Sequence, residues 1–449
     1  MTAVSEQGIR LLHRGGSLFC RSLNGEVISS SSARELALLF PRAPLDEPML
    51  RLIQGFDVDE PHRTAFEGVR RVGPWEEIRT GRRVWELPSG TSGLSLQEAG
   101  KHVWNALLVA VAEVLQSAPR VAILLSGGLD SAVLAAAASV VQARLGVAPP
   151  LQVTLSFQGL QCDESEIAGR VAHSVGLPWL GVPCVGEGLE PHLEKYVAEH
   201  DSPLIDVEET VVRKAMRMAI AEGCTTIMTG NGGDEQFVGF GADVDSFRRG
   251  DLRSAWRFVR MLGETRRDRS VRSVLSAARR CLQHWISPHP YGIRAGAAAK
   301  FKSYARAALD HFLHNGMLLW RLDMLARTGR LCGIAVSHPY LNPGVLEATA
   351  LASPEVLIEG GITKPVLRAA VQGHLPAELM TKLVKVSHLD FLLDTFRRES
   401  GGWAKRVLRV PDREIRDLFR RVAAGQAHVL SFWLAMTVRQ FRCQWKEWK

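Results

Sequence analysis

The chain has 449 residues, with 55 Lys plus Arg against 47 Asp plus Glu and a formal net charge of +8. Hydrophobic residues make up 46% and charged residues 23%, an ordinary globular balance that excludes disordered, collagen-like and mucin-like chains. The length predicts two or three domains with core enough to need no covalent staples. Seven cysteines (Cys20, Cys162, Cys184, Cys224, Cys281, Cys332 and Cys443) are scattered without a C-x-x-C pair. That spacing excludes a disulfide scaffold and a zinc ribbon, and fits buried thiols in a reducing compartment. Residues 1–21 contain Glu6 and no long apolar run, so they do not read as a secretory signal. Residues 121–141 are long enough to cross a membrane but hold Gly127, Gly128 and Asp130. A carboxylate there costs about 3 kcal/mol on insertion scales. The expectation is a soluble, cytoplasmic protein with no membrane partner.

In chain order, residues 1–93 read as a small β-rich module. Short apolar stretches at 17–23, 65–72 and 84–87 alternate with Gly, Pro and charge. The turn-rich run 88–93 (Pro-Ser-Gly-Thr-Ser-Gly) marks the boundary to a second unit, 94–449. Residues 96–117 are apolar on a helical period. From 118 the rhythm is strand, turn, helix: strands at 121–125, 151–157, 182–185 and 225–229, with helices between them. Asp163 is a cap for a helix bearing Ile167, Val171 and Val175, which Gly176 stops. Val211, Val212, Ala215, Met216, Ala219 and Ile220 line one face of a helix ending at Gly223. Such alternation predicts an α/β fold with a parallel sheet and ligands at the strand C-terminal ends. Beyond Phe237 the pattern is mainly helical.

Two glycine-rich motifs stand at predicted strand ends. The first is Leu125-Ser126-Gly127-Gly128-Leu129-Asp130-Ser131. Its glycines let backbone N–H groups approach an anion at a helix N-terminus, and Ser126 and Ser131 can donate to phosphate oxygens. A Walker lysine is missing, so this is no γ-phosphate cradle. An acid in a phosphate site makes sense if Asp130 holds Mg²⁺. The second, Thr229-Gly230-Asn231-Gly232-Gly233-Asp234-Glu235, offers Asp234 as a second carboxylate for the same ion. A single Gly-rich loop is weak evidence; two of them at strand ends about a hundred residues apart are not.

S-G-G-L-D-S followed by G-N-G-G-D-E resembles the synthetase domain of the asparagine synthetase family, within the PP-loop ATP pyrophosphatases (adenine nucleotide α-hydrolase-like). The resemblance spans roughly residues 96–387. It includes Leu155-Ser156-Phe157, Asp163-Glu164, the segment 339–343, Lys364 to Arg368, and Leu375-Pro376 leading to Lys382 and Lys385. It implies a parallel-sheet synthetase domain with a mainly helical C-terminal part, preceded by a degenerate glutaminase-like module. It also implies ATP and Mg²⁺ as cofactors and an acyl-adenylate intermediate. Leu125, Ser156, Thr229 and Gly230 would border the adenosine, Asp130 and Asp234 would hold Mg²⁺, and Lys385 would meet the α-phosphate and the developing oxyanion, with Lys382 its competitor. Ser126, Gly127, Gly128 and Ser131 would complete the nucleotide site.

Departures from the family pattern narrow the expectation. Thr2 follows Met1 where glutamine-dependent relatives expose a Cys, the nearest Cys is Cys20, and the first module is short, so no glutaminase is expected. Asn231 stands where asparagine synthetases have Glu and β-lactam synthetases Tyr; Ala335 stands where the Glu partner of that Tyr would fall. The remaining pattern most resembles lasso-peptide cyclases. That resemblance implies a leader-cleaved precursor peptide as substrate, with a leader peptidase and a leader-binding protein as partners. The reaction it implies is macrolactam closure between the peptide's α-amine and an Asp or Glu side chain. A general base is not evident; His338 and Glu235 are candidates. Alternatives are the same chemistry on a small molecule, or RNA modification, which the absence of suitably spaced Cys disfavours. A basic stretch at 248–280 holds eleven Arg against Asp251, Glu264 and Asp268. It reads either as a solvated helical face or as a dock for an acidic partner, with nucleic acid the weaker reading.

Overall fold

A computed structural model describes residues 11–448 except 58–59, 91–92, 185–187, 204–208, 265–270, 294, 383–388 and 426. Its centre is a five-stranded parallel sheet of β4 (Val121–Leu124), β5 (Leu151–Ser156), β6 (Trp179–Pro183), β7 (Thr226–Met228) and β8 (Ala335–Ser337), in the order β6-β5-β4-β7-β8. A smaller antiparallel sheet, β2-β1-β3, is formed by β1 (Phe19–Leu23), β2 (Glu26–Ser30) and β3 (Val69–Arg71). The chain moves outward from β4 to β5 and β6, then returns to β7 on the other side. The boundary between β4 and β7 is therefore the topological switch point, where an open parallel sheet offers a crevice at its carboxyl edge.

Helices cover both faces of the large sheet. The helix Leu96–Ser117 begins in a reciprocal capping box between Ser95 and Glu98 and buries Val103, Leu107, Val111 and Val114. The helix Leu129–Leu145 is buried on nearly every side; seven consecutive residues, Ala132 to Ala138, lie inside. Its end is set by Gly146 in the left-handed conformation, the residue without a Cβ penalty there. The predicted helices over the second and third crossovers appear as Ser165–Ser174 and Glu209–Ala221.

Three expectations need correction. The first module is mixed rather than β-rich: the helices Ala33–Leu38 and Glu47–Gln54 share it with the small sheet, and 84–87 contributes no strand. The strand placed at 182–185 begins earlier, at Trp179, because β5 pairs with it from Gln152 onward, and it ends at Pro183 opposite Ser156. The helical region beyond Phe237 hides a fifth strand, β8, which is too short for a periodic signal. The first module also shares its core with distant helices. Phe66 packs on Phe441 and Trp445 of the helix Val429–Glu447, and Arg71 pairs with Asp323 at 2.6 Å, almost wholly buried. The His13 carbonyl accepts from His338 N–H at 2.8 Å and from the Ser337 hydroxyl at 2.9 Å, which covers the end of β8.

Candidate active site

The two motifs meet at the switch point. Leu125 continues β4, its N–H donating to Val153 O at 2.9 Å; Thr229 continues β7, its N–H donating to Ser337 O at 3.0 Å. Gly230 and Gly233 let the loops touch. A Cβ on Gly230 would lie 3.2 Å from Asp130 Cβ, and one on Gly233 only 2.5 Å from Asp130 Cγ. The glycines of the second motif are therefore space for the aspartate of the first. Gly232 has φ +96°, and a Cβ there would meet Leu341 at 2.6 Å, so no side chain fits.

Asp130 and Asp234 converge on a single atom, Lys364 Nζ, at 2.6 Å from Asp130 Oδ1 and 2.6 Å from Asp234 Oδ1. Burial pushes the ammonium toward deprotonation, but the two carboxylates outweigh it and hold its pKa above the ordinary lysine value. Lys364 has φ 54°, a left-handed backbone rare outside glycine, and sits immediately before Pro365 at the start of the helix Pro365–Ala370. That helix docks on Leu96–Ser117 at Gly100, where a Cβ would lie 2.7 Å from Ala369 Cβ. Tyr340, fully buried, donates its hydroxyl to Asp130 O at 2.8 Å. Burial, then Asp130, raises its pKa well above the usual phenol range, so it stays a donor.

The phosphate-type loop is closed on itself. Ser126 N–H donates to Ser131 Oγ at 3.0 Å and Gly128 N–H to Ser126 Oγ at 3.2 Å. Gly127 N–H donates to Glu164 Oε2 at 3.3 Å. Of the residues expected around adenosine, Leu125, Ser156 and Thr229 are almost fully buried at the ends of β4, β5 and β7. Their side chains are committed inside: Ser156 Oγ donates to Ser165 Oγ at 3.2 Å, and Thr229 Oγ1 lies 2.7 Å from His338 Nδ1 and accepts from Asn231 Nδ2 at 2.8 Å. His338 is fully buried and supports Thr229 from beneath. Glu235 lines a cavity of about 10 Å³ with Gln236 and Arg306, room for one water behind the motif.

Lys385 lies outside the described residues. The helix Ala377–Lys382 that leads to it is tied to the Lys364 unit, since Arg368 Nη1 donates to Met380 O at 2.6 Å and Arg368 Nε to Thr363 O at 2.7 Å. Lys364 is the site residue to which the sequence reading assigned no role. Its signal was available: a lysine directly before a helix-starting proline opposes the helix dipole and needs acidic partners.

The family model for asparagine synthase matches residues 102–429. The chain belongs to the asparagine synthase family. Membership supports an ATP-dependent amide ligase in general terms. The chain is also similar to the amidase chyE of Penicillium rubens, 31% identical over 209 residues; the match covers 41% of this chain and spans 30% of that protein's length. Among solved structures, the U34-tRNA thiolase NcsA from Methanococcus maripaludis with its 4Fe-4S cluster aligns at 18% identity and a TM-score of 0.22. That alignment covers 40% of this chain and 63% of the thiolase.

Proposed function

We propose that this protein is an AMP-forming, ATP-dependent ligase that closes a macrolactam between the α-amine of a leader-cleaved peptide and an Asp or Glu side chain. The observation that carries the reading is the convergence of Asp130 and Asp234 at the β4–β7 switch point, beside the glycine-rich loop 125–131. Family membership supports the adenylating half of the chemistry. Asn231 and Ala335 support the rest, because they leave no Tyr–Glu base for β-lactam closure.

The residues fit Mg²⁺ carried in by the nucleotide. No cluster of three or more His, Cys, Asp or Glu suited to a metal occurs among the described residues; two neighbouring carboxylates, already sharing the Lys364 ammonium, suit an ion that keeps phosphate oxygens and waters as its other ligands. Asp130 and Asp234 would hold that ion, and bound there it would neutralise charge on the leaving pyrophosphate.

The chain's own residues do the remaining work. A substrate carboxylate oxygen attacks the α-phosphorus, and the bond to the β-phosphate oxygen breaks. The peptide amine then attacks the acyl carbon, AMP departs with the carboxylate oxygen, and the nitrogen loses a proton. Lys364, held charged beside the aspartates, supplies the cation next to the pyrophosphate. Lys385, which lies outside the described residues, would meet the oxyanion. A fixed cation costs no reorganisation at the moment of reaction.

The test is ATP–pyrophosphate exchange with purified protein. A peptide bearing a free α-amine and a side-chain carboxylate a few residues in should drive exchange and yield a product lighter by one water. Acetylating the amine should stop closure yet still permit exchange. Free aspartate with ammonia should do neither. Exchange driven by a free amino acid and not by peptides would replace this reading with a small-molecule ligase.

A further inference from the structure

We infer that Glu164 is a built-in competitor for the pyrophosphate site, a carboxylate that occupies the anion's place on the loop and helps expel the product. The inference rests on the proposed adenylating function. Gly127 N–H is central among the loop's donors, and its partner is Glu164 Oε2 at 3.3 Å. The contact is intimate: a Cβ on Gly127 would lie 2.8 Å from Glu164 Cβ and 3.1 Å from its carboxyl carbon. The neighbouring N–H groups of Ser126 and Gly128 are taken by serine hydroxyls, which are neutral and can rotate toward a phosphate. Glu164 alone brings negative charge.

Its backbone cannot drift. Asp163 Oδ1 accepts from Phe157 N–H at 3.0 Å and Ser165 N–H at 3.1 Å, and Glu164 O accepts from Ala168 N–H at 3.0 Å. Only the side chain has to turn when an anion enters, and it returns to the same donor when the anion leaves. A carboxylate aimed at an amide cradle repels an incoming pyrophosphate, and two charges a few ångströms apart interact by about 1 kcal/mol even at water's dielectric.

Calorimetric titration of the enzyme with inorganic pyrophosphate and Mg²⁺, without ATP or peptide, tests this. Glu164→Gln keeps an acceptor for Gly127 N–H and removes the charge; Glu164→Ala removes both. Each should bind pyrophosphate more tightly than the parent, by roughly five- to tenfold. In turnover, each should show stronger product inhibition by pyrophosphate. Binding unchanged or weakened in Glu164→Gln would overturn the inference, weakening being the mark of a ligand or positioning residue instead. Failure of the parent itself to bind pyrophosphate would sink the adenylation reading, and this one with it.

Discussion

The helix Leu129–Leu145 is enclosed, whereas the helix Val271–Ile286 turns Leu275, Leu282 and Ile286 to solvent at 61%, 50% and 70% exposure. Their spacing, seven and then four residues, puts the three on one face with Arg279 between them. The partner helix Leu252–Glu264 adds Leu252 at 61% and Trp256 at 49%. In the first helix each small residue answers a neighbour, so sequence and packing constrain each other. In the second, the inner face (Ala277, Cys281) is fixed by packing, while Leu275, Leu282 and Ile286 on the outer face stay at least half exposed among the described residues. The comparison separates positions where a substitution must act from positions where it need not.

The largest effect should come from the crowded end. Asp130→Ala or Asp234→Ala removes a proposed metal ligand, and should abolish exchange, a loss of at least about 10³-fold. Circular dichroism should stay unchanged, since each side chain stands in the first turn of a helix and is partly exposed at the carboxyl edge of the sheet. Gly233→Ala should follow closely, because its methyl would enter Asp130. Full turnover by either aspartate variant at millimolar Mg²⁺ would break the assignment.

Lys364→Met tests the same cluster through stability. It leaves two carboxylates facing each other and should cost roughly 1–3 kcal/mol, less than for a fully enclosed pair because Asp234 keeps 29% exposure. The sign with pH follows from the raised pKa. The parent's advantage is complete below the ordinary lysine value of 10.5 and is lost as pH rises through the higher folded value. On the alkaline side, denaturant melts of both proteins should therefore converge only in strong alkali. Convergence at neutral pH would mean that the triad contributes nothing.

What was legible follows the same division. The two glycine motifs and Asp130 and Asp234 could be read because steric demand leaves few residues that fit. Val121, Ile123 and Leu151 betrayed buried strands by unbroken apolarity. The strand Ala335–Ser337 could not be read, since three residues between a helix and a 3₁₀ turn carry no period and pairing with β7 alone makes them a strand. For Lys364 the sequence carries the need for acidic partners, a lysine before a helix-starting proline, but not their identity, because they lie 234 and 130 residues away.

The hairpin of helices Leu252–Glu264 and Val271–Ile286 packs beside an enclosed acid, Asp243, on the preceding helix. Asp243 Oδ2 accepts from Trp285 Nε1 at 2.8 Å and Tyr291 OH at 3.0 Å, tying the end of the helix Val271–Ile286 and the 3₁₀ turn Pro290–Gly292 to Ala242–Arg248. Burial, only partly offset by those two donors, raises its pKa from 3.8 to about 6. A raised folded pKa means stability present below about pH 4 and lost as pH rises through about 6. The loss is about 3 kcal/mol at most. Asp243→Asn should flatten that segment of the stability profile in urea melts. An unchanged slope between pH 4 and 6 would show that the carboxylate is solvated.

The smallest effect is expected on the outer ridge, and it is the sharpest check on the comparison. Leu275→Lys, Leu282→Lys and Ile286→Lys each replace a side chain at least half exposed, so little apolar area is returned to water. Stability should move by no more than about 0.5 kcal/mol, the usual range for surface substitutions. Exchange on a short peptide should be unaltered, because the ridge stands opposite the residues that pack the hairpin onto the domain. The triple variant should also be more soluble, since three exposed apolar groups on one helix face are removed. A tenfold or greater fall in exchange for any single variant, with the melt unchanged, would place the ridge on the path of the substrate. The division between a constrained site and an unconstrained surface would then have to be redrawn through the hairpin itself.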